Sequence, residues 1–259
     1  MTLSQYFSLI DVQARMLLKA DISKYRLGML WWFLEPLMWV GVFYVVFNLI
    51  LNSGRGSGEF IIFLACGKFA FIWFSKTVVQ ASNSIIASHG LVGKIDVPKS
   101  LFPMSAIQES IYRQSAVYLL LFLILGFSGY TPGLNWLWIL PVFAVTYLMI
   151  VACGLIGSCL TCWVRDFKKV IPLLMTFLMF TSGLFWDVRQ LGDQAKTDLL
   201  LMINPLAFVL DAHRQVLMYG NSPDIIHLLA IGVGAAGLII ATIAYMRRYS
   251  KFLALKVLT

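Results

Sequence analysis

Apolar and polar residues run along this chain in long blocks. Residues 31–51, 60–82, 107–127, 136–162, 170–186 and 225–246 are predominantly apolar. At 1.5 Å per residue, roughly 20 helical residues cross a hydrocarbon layer about 30 Å thick. The pattern therefore predicts an all-α integral membrane protein with six transmembrane helices. Ahead of the first block, Leu3, Phe7, Ile10, Ala14 and Leu17 recur at helical spacing, and Ser4, Ser8, Asp11, Arg15 and Lys19 supply a polar side. That stripe is too charged to span and predicts an amphipathic helix lying at an interface, against either lipid or a protein partner.

The junction between that helix and the first apolar block is Lys24-Tyr25-Arg26-Leu27-Gly28-Met29-Leu30-Trp31-Trp32. Gly28 allows a sharp bend. Tyr25, Trp31 and Trp32 carry rings that settle at a membrane–water boundary. Residues 1–28 thus read as an interface helix and turn. Pro36 falls in the first turns of the next helix, where its missing N–H is best tolerated.

Composition agrees with this pattern. The 259 residues are 60% hydrophobic and only 12% charged, with a mean hydropathy of +0.83. No length remains for a separate soluble catalytic domain, and the N-terminus lacks the basic-then-apolar run of a signal peptide. A pI of 9.4 invites a nucleic-acid partner, but the placement of the cations answers it differently. With the N-terminus cytoplasmic, thirteen of the 20 Lys and Arg residues fall on the inner side. Arg55, Arg189, Lys196 and Arg214 fall outside, and Lys68, Lys76 and Arg113 lie within spans. This bias predicts both termini in the cytoplasm and no nucleic acid.

Two linking segments stand out. Residues 84–105 are polar and broken by Gly and Pro, which predicts short helical pieces on the cytoplasmic side. Residues 187–223 mix charges with apolar runs too short to span and are split at Asn204-Pro205-Leu206. They predict two short helices between the fifth and sixth spans, either re-entrant on the periplasmic side or lying as ordinary surface helices.

Candidate chemistry is sparse. Lys68, Ser75, Lys76, Ser82 and Asn83 project onto an arc of about 120° on the second span, which predicts a bundle interior or a watery path. Snorkelling to the inner surface is the alternative for Lys76. Glu109 and Arg113 stand at i, i+4 spacing and can pair locally. Trp39, Phe43, Tyr44 and Phe47 on the first span, and Phe177, Phe180, Phe185 and Trp186 on the fifth, could present rings for sugars to slide over. Packing and interfacial belts are the ordinary use of such rings. The cysteines, Cys66, Cys153, Cys159 and Cys162, all lie in apolar segments and read as small filler, and no metal site is expected. No phosphate-binding Gly-x-x-x-x-Gly-Lys-Ser/Thr loop is present, so ATP is not bound by that route. Asp211 and His213 could form an acid/base pair, although a hydrogen-bonded helix end is the simpler expectation.

The order of these features resembles a known family. An interfacial helix leads through Tyr25-Arg26-Leu27-Gly28 into Leu30-Trp31 and Pro36. A Gly93-Lys94…Pro98-x-x-x-Phe102-Pro103 segment lies between spans two and three, Arg165-Asp166-Phe167 precedes span five, and Asn204-Pro205-Leu206 precedes the last span. Together they resemble the permease subunit of ABC-2-type polysaccharide exporters, which move O-antigens, capsules and teichoic acids. The resemblance implies a homodimer in the bacterial inner membrane, two copies of a cytoplasmic ATPase that bind ATP and Mg, and a polyprenyl-pyrophosphate-linked polysaccharide as substrate. This chain would hold no cofactor and catalyse no reaction. The resemblance further implies that Gly93, Lys94, Ile95, Asp96, Val97, Pro98 and Lys99 couple to the ATPase and that the helices of 187–223 act as a periplasmic gate. Arg26, Leu27 and Gly28, with Arg15, Lys19 and Tyr25 nearby, would mark where the carrier's head group arrives. The path would be lined by Trp39, Phe43, Tyr44, Phe47, Lys68, Ser75, Phe177, Phe180, Phe185 and Trp186. A small-drug or lipid exporter of the same fold, and an intramembrane enzyme using Asp211 and His213, are the competing expectations.

Overall fold

The computed structural model describes residues 2–50, 58–92 and 97–258, and among them every regular element is helical. Helix α1 spans Leu3–Lys24 and opens on a reciprocal cap between Thr2 and Gln5. It ends at Tyr25, and Gly28 turns the chain with a φ of 45°, a left-handed backbone in which glycine is favoured. A Cβ at Gly28 would also press on Ile22 at 3.2 Å. After the turn, α2 (Trp31–Tyr44) leaves at 95° to α1 and passes into a π-helical turn, Val45–Ile50.

The long helix α3 (Gly58–Ala87) is followed by the short α4 (His89–Val92) and by α5 (Leu101–Phe127). Next come α6 (Ile139–Trp163) and α7 (Phe167–Thr181). The chain closes with α8 (Gln194–Ile203), α9 (Pro205–Leu217), α10 (Ile225–Arg248) and α11 (Ser250–Leu258).

Four of these stretches are long and apolar enough to cross a membrane: Gly58–Leu91, Leu101–Phe127, Leu134–Trp163 and Ile225–Arg248. The bent pair of α1 and the segment Gly28–Tyr44 would make a fifth if counted as one span. Residues 170–186, expected as the fifth span, hold α7 only as far as Thr181, and α7 is not among the helices long and apolar enough to cross a membrane. Its 15 residues rise about 22 Å. The helix stops at Thr181 because Gly183 takes a φ of 68° and turns the chain away.

Helix α3 is the centre of the molecule. It packs against α2, α5, α6, α7 and α9, and 78% of its most apolar window is buried, against 11% for α10. Its approach to α6 depends on small residues. A Cβ on Gly154 would stand 2.9 Å from that of Ala81, and one on Gly157 would collide with the Ser82 hydroxyl. Thr161 Oγ1 donates to the Ser82 carbonyl across this seam. Facing α5, Trp73 Nε1 donates to Ser110 Oγ at 3.2 Å and Gln114 Nε2 to the Phe69 carbonyl at 3.3 Å. Such side-chain bonds, with close backbone approach, are what hold helices together where lipid removes the hydrophobic contrast.

The α8–α9 pair breaks at Asn204, whose Oδ1 accepts from the Leu206 and Ala207 amides at 3.1 Å, with Pro205 at the first helical position. Residues 206–217 of α9 are all buried, so α9 is not an ordinary surface helix. By contrast α8 exposes Leu199, Met202 and Ile203. The N-terminal helix also differs from a simple lipid-facing stripe. Ile10 and Ala14 are buried, Leu3 and Phe7 stay exposed, and the polar side meets α5 through Asp11 with Tyr112 and Gln13 with Ser105.

Gly157→Ala should destabilise the purified protein in detergent by about 1–3 kcal/mol, the usual cost of overpacking a tight interface. Ser82→Ala in the same chain should restore part of the loss, because it removes the colliding hydroxyl. A thermal midpoint unchanged by Gly157→Ala would refute the close α3–α6 seam.

Candidate functional site

Three polar clusters are set into the apolar bundle. The first is built on α9. Arg214 is 2% exposed and donates to three carbonyls: Phe63 at 3.2 Å, Gly183 at 2.7 Å and Leu184 at 3.0 Å. Its guanidinium lies 3.6 Å from the Phe63 ring centroid. Gly67 makes the space for it, since a Cβ there would strike the guanidinium. Beside it, His213 is fully buried. Its Nδ1 meets the Val209 carbonyl at 2.8 Å and its Nε2 meets Tyr118 Oη at 2.6 Å. The ring therefore donates from Nδ1 and accepts at Nε2. Asp211 accepts a bidentate pair of bonds from Arg189, with a closest distance of 2.7 Å. Those bonds raise the Arg189 guanidinium above its ordinary pKa. Both members of the supposed acid/base pair are thus engaged in structural contacts, which does not favour the enzyme reading.

The second cluster surrounds Lys68. Its side chain lies between α2, α3 and α7. Nζ stands 4.5 Å from the Trp39 ring centroid, 5.2 Å from Phe43 and 5.9 Å from Phe71, and it meets Met179 Sδ at 3.4 Å. The rings continue outward, with Trp39–Phe43 centroids 5.9 Å apart, Phe43–Phe185 5.3 Å and Phe185–Phe180 5.6 Å. This series joins α2 to the end of α7. Trp39 and Phe180 are exposed, whereas Phe43 is buried. Trp186 is half-buried and donates from Nε1 to the Phe180 carbonyl. Tyr44 and Phe177 are exposed and Ser75 is half-buried. The side chain of Phe47 lies outside the described residues.

The third cluster lines a cavity of about 380 Å³ at the turn between α1 and α2. Tyr25, Gly28, Trp31 and Trp32 form one wall, and Lys76, Gln80, Arg113 and Gln114 face them. Lys76 pairs with Glu35, and Arg113 pairs with Glu109 and stands 3.9 Å from Asp21. Gln80 Nε2 donates to Glu109 at 2.8 Å. Arg113 Nε is buried without a partner among the described residues.

The polar arc read on the second span is therefore divided. Lys68 sits in the ring cage, Lys76 faces the cavity, and Ser82 packs against α6. Of the residues expected near the head-group entrance, Tyr25 and Gly28 line the cavity. Arg15 is exposed and paired with Asp11 at 2.9 Å, while Lys19, Arg26 and Leu27 are exposed. The cations that line the cavity are Lys76 and Arg113. Arg113 escaped the sequence reading as an entrance cation because its helical neighbour Glu109 accounts for it locally. Glu35 escaped because its partner is 41 residues away. In the cytoplasmic segment Gly93, Lys94, Ile95 and Asp96 lie outside the described residues. Val97 and Pro98 are half-buried and Lys99 is buried. Pro98 and Ser100 share small clefts with Arg247, and Tyr6 Oη bonds Ser100 Oγ at 2.9 Å. The ends of α1, α5 and α10 thus meet there.

Arg214→Met should lower the thermal stability of the detergent-solubilised protein by about 3 kcal/mol, because three buried carbonyls lose a charged donor. Gly67→Ala should destabilise the wild type but cost less in the Arg214→Met background, a coupling that a double-mutant cycle measures. Additive losses would show that the two residues do not touch.

No family model matches the chain. Curated relatives do. An O-antigen export system permease protein RfbA of Klebsiella pneumoniae is 24% identical over 220 residues, 85% of this chain and 83% of its own length. One of the same name from Myxococcus xanthus is 24% identical over 88% of this chain and 87% of its own. The polysialic acid transport protein KpsM of Escherichia coli is 27% identical over 78% of each. These names coincide with the resemblance carried by the motif order, and over most of its length the chain resembles the permease subunits of ABC-2-type polysaccharide exporters.

Proposed function

We propose that this chain is the membrane subunit of an ATP-driven exporter that moves a lipid-linked polysaccharide across a bacterial inner membrane. Two copies assemble with two copies of a cytoplasmic ATPase, which binds ATP and Mg. Both termini face the cytoplasm. In this reading α2 with its π-helical turn, and α7 with the turn that follows it, complete six crossings with the four long helices. The α8–α9 pair gates the periplasmic side.

The observation that carries the reading is the series of rings Trp39–Phe43–Phe185–Phe180, which runs across two helices and is exposed at both ends. Aromatic faces hold sugar rings by stacking and do so with little demand on sugar identity, as a sliding polymer requires. A drug site would instead be an enclosed apolar pocket, and the cavity at the α1–α2 turn is lined by charged side chains. That cavity suits the carrier's head group. Lys76 and Arg113 can exchange Glu35 and Glu109 for phosphate oxygens, and the Arg113 fork suits a bidentate phosphate contact. The segment from Gly93 to Lys99, together with α1, meets the ATPase.

The test is export by the reconstituted complex of this chain and its ATPase in vesicles loaded with a lipid-linked glycan. Trp39→Ala and Phe180→Ala should each slow ATP-dependent glycan movement about tenfold, the loss of about 1.4 kcal/mol of ring–sugar contact, while the complex still assembles. Wild-type export with unaltered rates in both variants would remove the ring series from the path.

A further inference from the structure

Among the described residues, Lys68 is a buried cation that meets no carboxylate. Arg113 has Glu109, Lys76 has Glu35, and Arg189 has Asp211. Arg214 has no carboxylate but satisfies its guanidinium with three backbone carbonyls. Lys68 is 4% exposed, and the acceptor it meets is a thioether, Met179 Sδ at 3.4 Å. A thioether is a weak acceptor for one of three N–H donors. No carboxylate pairs with the amine among the described residues. The rings of Trp39, Phe43 and Phe71 attract the cation, but ring faces make up only part of what an ammonium loses on leaving water. A methionine or leucine would fill the same space at lower cost. Intramembrane lysines of this kind mark substrate pathways.

The position of the cage bears on what answers the charge. Trp39 is 41% exposed while the amine beneath it is buried, so this ring separates Nζ from the outside of the chain. Phe43, which touches the amine on one side, touches Phe185 of the exposed ring series on the other. The π-helical turn at Val45–Ile50 begins two residues beyond Phe43, and such irregular turns accompany functional sites in helices. A small swing of Trp39 therefore opens the amine directly onto the surface over which the glycan would slide.

We infer that Lys68 recognises an anionic group on the transported glycan, and hence that the exported polysaccharide is acidic, with carboxylates that pass the aromatic series and pair in turn with the uncovered amine. The inference rests on the export reading above. The shared chemistry is an anion, and the carrier's pyrophosphate is a second possible source of it, so the two must be separated by experiment.

The probe is one polyprenyl-pyrophosphate-linked glycan with a single glucuronic acid per repeat, compared with its carboxyl-reduced form on the same carrier. In vesicles holding the complete complex with its ATPase, wild type should export the acidic form at least tenfold faster than the reduced form. Lys68→Gln should reduce that ratio to near one, and Lys68→Arg should keep most of it. Equal export of both forms by wild type, or a ratio unchanged by Lys68→Gln, would overturn the inference. Equal slowing of both forms by Lys68→Gln would assign the amine to the carrier's pyrophosphate and overturn it too. Should Lys68→Gln fail to assemble, stimulation of wild-type ATPase activity decides. Stimulation by the acidic form alone supports the inference and equal stimulation by both contradicts it. If wild type exports neither form, the export reading itself fails.

Discussion

The geometry of the bundle depends on one buried guanidinium. Arg214 reaches from α9 to the Phe63 carbonyl of α3 and to the Gly183 and Leu184 carbonyls just past α7. A charge in that place is tolerable only because each acceptor is in position, and acceptors in hydrocarbon have no water to fall back on. Gly67 must lack a side chain for the guanidinium to fit. The bond to Gly183 also holds the turn that ends α7, and that turn carries Phe185. The place of the aromatic series thus follows from a residue outside it. Arg189 with Asp211 and Tyr118 with His213 tie α9 to its neighbours at two further points.

Around that anchor the cations are sorted by what they meet. Where carboxylates are near, as at the α1–α2 turn, the cations are paired and the pairs border a cavity. At Lys68 the neighbours are rings and a sulfur, so the charge is held but not cancelled. The two sites sit on one face of α3, eight residues apart in sequence between Lys68 and Lys76. Together they mark a line from the cavity at the α1–α2 turn to the ring series.

Much of this was legible in the sequence. The apolar blocks located α3, α5, α6 and α10, and Gly28 located the 95° turn. Asn204-Pro205 located the break between α8 and α9, because an Asn cap followed by Pro is a local signal. Long-range pairs were not legible. The carbonyls that receive Arg214 lie up to 151 residues away, and nothing in a helical projection foretells them. The expected bias of cations toward one side of the membrane covered Arg15, Lys19 and Arg26 alike and could not say which cations face a cavity. Hydropathy extended the fifth span to residue 186, because Leu184, Phe185 and Trp186 are apolar. Backbone geometry at Gly183 ends the helix before them.

The claim that the ring series and its caged lysine form the path is tested most directly by photocrosslinking. A benzophenone amino acid replacing Trp39, in the complex hydrolysing ATP, should capture glycan. The same group replacing Leu229, on the exposed side of α10, should capture lipid without glycan. Glycan captured at Leu229 and not at Trp39 would contradict the account.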